Sequence, residues 1–207
     1  MRAIILKIII VLFGFLMFSF MEPTSVNPEA YISAFSENKS NFRKYFSDTK
    51  LKYTLSLIPK ELKLISQYKK GILDKQAVNE MLSTKSNEID FILELELPEN
   101  GNRAFLKFPS DSLDYEGRLK YYAFSFLKDI KVLNENKDEI SISAYNFERN
   151  FGASPKATFT FSIAPNKRDK KITLQIHDQV YGQSMAHFEF NIKQLRSLPR
   201  LKNATKW

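Results

Sequence analysis

The chain has 207 residues, a net charge of +8, 43% hydrophobic and 26% charged residues, and no cysteine. That length suits one domain with a short appendage. Zero Cys excludes disulfide frameworks, zinc ribbons, iron–sulfur centres and thiol nucleophiles. With 6 Gly and 8 Pro, collagen-like and Gly/Pro low-complexity classes are excluded as well.

Arg2 and Lys7 precede an apolar run from Ile8 to Met21, broken only by Gly14 and Ser19. A basic start before a short apolar stretch is the pattern of a secretory signal. The cations stay on the cytoplasmic side while the apolar run enters the bilayer. Residues 1–21 therefore read as a signal peptide or as an uncleaved membrane anchor. The second reading rests on the large Phe20 and Met21 at the cleavage position and on the near-spanning length of residues 3–21. Either way the body is expected outside the cytoplasm, periplasmic, secreted or anchored. The Lys, Asn, Ile and Phe bias suits an AT-rich bacterial genome. Without disulfides, an exported domain of this size has to hold together by packing.

Residues 22–86 read as a helical section packed on the body. Asn27-Pro28 suits an N-cap followed by Pro at the first helical position. Tyr31, Phe35, Phe42 and Tyr45 or Phe46 recur at helical spacing to about residue 46. Leu51, Tyr53, Leu55 and Leu57 alternate with polar residues and suggest a short strand. Pro59 opens a second helix that Gly71 interrupts, and Asp74 caps a third.

Residues 87–207 read as an antiparallel β domain with a basic tail. Ile89, Phe91, Leu93, Leu95 and Leu97 alternate with acids, Ile92 being the exception. Phe105 and Leu106 form a short run ended by Pro109. Residues 119–133 read as one aromatic strand, or two with a bend, with Tyr122, Phe124 and Phe126 on one face. Asn134 to Asp138 reads as a hairpin turn. Ile140 and Ile142, then Phe159 to Ile163, Ile172 to Ile176 and Phe188 to Ile192 follow with period 2. About seven short strands separated by turn signals predict an antiparallel sandwich or a barrel-like sheet. The fold class is α+β, mostly β, with the helical section first.

Two constellations carry chemistry. If the strands around residues 178–186 form a hairpin with His177 opposite His187 and Gln175 opposite Glu189, then His177, Asp178, His187 and Glu189 compose a metal set. Such a site would activate water in a hydrolase acting on envelope material. A one-residue slip in register destroys it. The stretch Tyr145 to Pro155 mixes aromatics, amides and an adjacent Glu–Arg pair. Asn146, Glu148, Arg149, Asn150 and Phe151 are its binding candidates, since loops on rigid scaffolds carry recognition residues.

Gly182-Gln183-Ser184-Met185-Ala186 approximates a nucleophile elbow, but strand-like alternation follows it and the acid–His order of a triad is missing. No phosphate-cradling glycine motif is present, and no cofactor is expected. The basic charge lacks a nucleic-acid motif, and export removes nucleic acid as a partner. These observations favour an exported, non-catalytic binding or assembly module for an envelope protein or polysaccharide. The metal-assisted hydrolase is the alternative.

Overall fold

A computed structural model of the chain describes residues 25–84, 86–98, 104–110, 112–148 and 154–207. The leader, residues 1–21, lies outside the described residues, as do Arg149, Asn150 and Phe151. No described helix is long and apolar enough to cross a membrane.

A two-residue strand, β1 (Ser25–Val26), leads into helix α1 (Pro28–Glu37). The Asn27 side chain accepts the Ala30 amide and Pro28 takes the first helical position. One further turn, α2 (Lys39–Phe42), runs straight into β2 (Arg43–Ser47). The helix expected to reach residue 46 therefore stops at Phe42. Phe46 turns inward against Tyr53 and Phe188, Tyr45 turns out, and every residue of β2 pairs with the next strand. Ladder pairing outweighs the helical spacing of the aromatics here.

That next strand is β3 (Lys52–Ile58), followed by helices α3 (Lys60–Lys69) and α4 (Lys75–Ser83). Gly71, at a φ of +69°, supplies the left-handed residue that ends α3. The Asp74 carboxylate accepts the Ala77 amide and starts α4. Then comes β4 (Ile89–Glu96), with alternate residues buried along its whole length.

Residues 119–133 depart from expectation. A 3-10 turn (Phe105–Lys107) precedes α5 (Tyr115–Lys120), which widens into a π-turn (Tyr121–Ser125) and a 3-10 turn (Phe126–Asp129). Only β5 (Ile130–Asn134) is strand. Tyr122, Phe126 and Ile130 are buried while Phe124 is 71% exposed. The aromatics thus bury at a spacing of four residues, a helical face that period 2 also fits. Asp114 caps the helix by accepting the Gly117 amide.

The remaining elements are β6 (Ile142–Phe147), β7 (Lys156–Ile163), β8 (Lys171–Ile176), β9 (Ala186–Asn191), α6 (Ile192–Arg196) and β10 (Arg200–Leu201). β10 pairs parallel with β1. The larger sheet is antiparallel in the order β2-β3-β4-β7-β6, and the smaller is β5-β8-β9. The section expected to be mainly helical therefore supplies two strands of the larger sheet.

The two sheets face each other as a sandwich. Phe91 meets Phe190 with ring centres 5.4 Å apart, and Phe126 meets Phe159 at 4.9 Å. β2 lies beside β9 along one seam. At the other seam the chain turns back at Asn134–Asp138, bridges Leu133 to Glu139 and continues into β6. A bulge between Ile142 and Ala144 redirects it into the larger sheet. Tyr122 and Phe126 fill the gap left there, packed on Phe105, Phe147 and Phe159. Helices α1, α2, α3, α4 and α6 gather at one end of the sandwich, and loops 48–51, 104–110 and 177–185 gather at the other together with α5, whose Arg118 donates to the Leu106 carbonyl.

Phe159 touches Tyr122, Phe126, Tyr145 and Phe147 and is fully buried. Phe159→Ala is expected to cost about 3–5 kcal/mol in urea unfolding. Tyr45→Ala, at a position 70% exposed, is expected to stay within about 0.5 kcal/mol. Equal losses for the two variants would contradict the packing described.

Candidate functional site: a groove on the larger sheet

Alternate residues of β3, β4, β7 and β6 point away from the sandwich core. The strand registers align them in rows. Ser56, Ile92, Thr160 and Asn146 form one row, and Ile58, Asp90, Ser162 and Ala144 form the next. All of these except Ser56, together with Lys63 from α3, enclose a groove of about 370 Å³.

Its floor mixes Ile58, Ile92 and Ala144 with hydrogen-bonding side chains, the composition of a ligand site. Asp90 is held from two sides. The Lys63 ammonium lies 2.6 Å from one carboxylate oxygen and the Ser162 hydroxyl donates to the other at 2.6 Å. Asn146 is exposed, and its amide side chain has no hydrogen-bond partner among the described residues.

Strand β6 is also an edge. The Glu148 amide donates to the Thr158 carbonyl at 2.9 Å, so the residues paired with β7 through hydrogen bonds are Asn146 and Glu148. The amides and carbonyls of Tyr145 and Phe147 consequently point away from β7. Among the described residues no backbone group bonds them. The Tyr145 ring turns inward, where its hydroxyl donates to the Tyr122 carbonyl at 2.5 Å. The π-turn beside β6 carries the exposed Phe124.

The binding candidates from the sequence thus divide. Asn146 lines the groove, and Glu148 stands exposed just past the end of the same strand. Sequence reading passed over Ile92, Ile58, Lys63 and Asp90. Ile92 left a signal, because it breaks the alternation of β4 by placing an apolar residue on the wet face.

The four metal candidates are dispersed. His187 pairs with Gln175 and Glu189 with Thr173, so the hairpin register is offset by two residues from the one that would oppose His177 to His187. His187 is exposed, and Glu189 forms an ion pair with Lys171 at 2.5 Å. His177 shares a 2.9 Å hydrogen bond through Nδ1 with the Gln179 amide. Asp178 is completely buried. Among the described residues no group of three His, Cys, Asp or Glu side chains has metal-binding geometry.

Asp178 instead organises the β8–β9 loop. One carboxylate oxygen accepts the amides of Val180, Tyr181 and Gly182 at 2.9, 2.6 and 3.2 Å, and the other accepts the Tyr122 hydroxyl at 2.7 Å. Burial pushes this carboxyl above its usual range, while those donors pull the other way. Gly182 is required sterically, since a Cβ there would sit 2.6 Å from the Tyr53 hydroxyl and 2.7 Å from the Asp178 carbonyl. Ser184 is exposed in this hairpin loop, with strand rather than helix after it.

Asp48 clamps the same loop from the β2–β3 turn. It accepts the amides of Lys50 and Leu51 on one oxygen and those of Gln183 and Ser184 on the other. Desolvation opposes its charge, but the four amides prevail and hold the carboxyl below its ordinary value of 3.8. A depressed carboxyl adds stability above its unfolded pKa and loses it as pH falls through the folded one. The parent is therefore expected to exceed Asp48→Asn in urea midpoint at pH 7, with the gap shrinking as pH drops from 5 towards 3. A gap that stays constant would contradict the clamp.

No family description and no curated protein matches the chain. Among solved structures, it is similar to a DUF4426 family protein from Pseudomonas aeruginosa PAO1, with a TM-score of 0.35 and 8% identity over 73% of this chain and 94% of that one.

Proposed function

We propose that this chain is an exported binding or assembly module of the bacterial envelope, and that it holds an extended segment of a partner protein against β6. The observation that supports this reading is the coincidence of the Asn146 groove with a strand edge that is unpaired among the described residues. An incoming strand would complete the ladder at Tyr145 and Phe147, which supplies affinity. Its alternate side chains would lie beside Asn146 at the mouth of the groove, which supplies selectivity. Phe124 offers apolar area beside the edge. The basic leader and apolar run support export, and residues 1–21 serve either as a cleaved signal or as the membrane tether.

The reading is tested by a photo-reactive side chain placed at Asn146 in intact cells. A discrete protein adduct is expected from this position and none from Lys131, which is exposed on the outer face of the smaller sheet. Thr160→Lys fills the groove from a half-buried outer position. It should lower the adduct roughly tenfold, equivalent to about 1.4 kcal/mol of binding, without shifting the melting temperature. Undiminished crosslinking in Thr160→Lys, or the same adduct from Lys131, would overturn the proposal.

A further inference from the structure

A second concavity lies on the opposite flank, at the seam where β2 runs beside β9. It measures about 440 Å³ and is lined by Lys44, Lys170, Lys171 and Lys193, with Glu189 the one acid among its lining residues. The side chains of Asn41 and Gln194 add neutral hydrogen-bonding groups.

Two of the four cations are engaged. Lys171 pairs with Glu189, and the Lys44 ammonium donates to the Ser40 carbonyl at 3.1 Å. Lys170 and Lys193 are exposed, and among the described residues no hydrogen bond or close ion pair holds either ammonium, although Glu135 attracts Lys170 at longer range. A further acid, Glu135, attracts Lys170 electrostatically. Its carboxylate accepts the backbone amides of Lys170 at 3.2 and 3.0 Å, one to each oxygen, and the amide of Lys171 at 3.4 Å. Four ammoniums around one cavity therefore face two carboxylates, Glu189 in an ion pair and Glu135 at longer range, which leaves an excess of two positive charges.

Such an arrangement is repulsive when empty and is relieved by an anion of more than one charge. Lysine suits phosphate as a compact point charge with three donors. We infer that this pocket binds a phosphate-bearing anion, with Lys170 and Lys193 as the primary contacts and Lys44 and Lys171 as supporting charges. Position narrows the source. β2 and β8 begin, and β9 ends, at the helical end of the sandwich, where Ser25 pairs with Arg200. The chain thus enters the fold at the same end as the lysine pocket. A leader held in a membrane would bring this end towards lipid phosphates.

The test uses the full chain and reads the acylation rate of each lysine by mass spectrometry. In neutral detergent, inorganic pyrophosphate is compared with sodium chloride at equal ionic strength. Lys170 and Lys193 are expected to acylate roughly threefold or more slowly with pyrophosphate, as occupancy of the pocket demands. Lys52, exposed at the loop end, should be unchanged.

A second arm places the chain in phosphatidylcholine nanodiscs with or without phosphatidylglycerol. Protection of the same two lysines by phosphatidylglycerol identifies a lipid headgroup as the source, and protection by pyrophosphate alone identifies a soluble phosphate. In the double variant Lys170→Gln, Lys193→Gln, the protection of Lys44 and Lys171 should vanish. Unchanged rates in every condition, or equal protection of Lys52, would overturn the inference.

Discussion

The fold depends on how the two sheets, five strands and three, are made to match. The smaller sheet cannot cover the β7–β6 side of the larger one, and the segment from Tyr115 to Asp129 covers it instead. Tyr122 and Phe126 are the side chains that do so, and both are fully buried. A buried phenol carries a polar end, and leaving it unmade would cost about 1–3 kcal/mol. Asp178 answers it with a 2.7 Å bond. The buried carboxylate then needs donors of its own, and the amides of residues 180–182 supply them. That in turn fixes the loop so tightly that residue 182 has to lack a Cβ. One apolar plug thus dictates a hydroxyl, an acid, a loop conformation and a glycine in sequence.

Much of the sandwich was legible because period 2 is a strong signal where one face is buried and the other wet. β3, β4, β7, β8 and β9 all follow it, with buried residues at alternate positions. The misreading of residues 119–133 has a definite cause. Tyr122, Phe124 and Phe126 satisfy alternation, while Tyr122, Phe126 and Ile130 satisfy a helical face, and sequence alone does not say that Phe124 is the exposed one. Asp114 followed by the Gly117 amide was the local clue, since an acid in that place starts a helix rather than a strand. Phe42 to Phe46 failed the opposite way, as aromatic spacing suited a helix and pairing with β3 decided otherwise.

The site was legible in part for a related reason. Asn146 stood out by composition, but the groove it enters is built from strands distant in sequence, and only the sheet order brings Ile58, Ile92 and Thr160 to it. Ile92 was visible as an anomaly without a location. The His177–His187 pairing depended on register across a loop of nine residues, a length that does not set register as a two-residue turn would. An offset of two keeps every side chain on its face and still separates the rings.

Edges explain where recognition is left available. β2 is shielded by β9, and β5 is bridged at Leu133–Glu139 by the chain returning from its own turn. The β6 edge keeps its outward groups unpaired among the described residues, and an exposed edge invites pairing with another chain. The lysine pocket lies at the other margin of the same sheet, beside β2. Four strand spacings of about 4.8 Å separate β2 from β6, roughly 19 Å in all. A phosphate group held at one margin therefore does not obstruct a strand added at the other. The two surfaces also differ in kind. One offers an aligned row of backbone groups that reads shape, and the other offers mobile point charges that read only sign and valence. A chain tethered through the lysine margin would present its β6 edge sideways, free to pair.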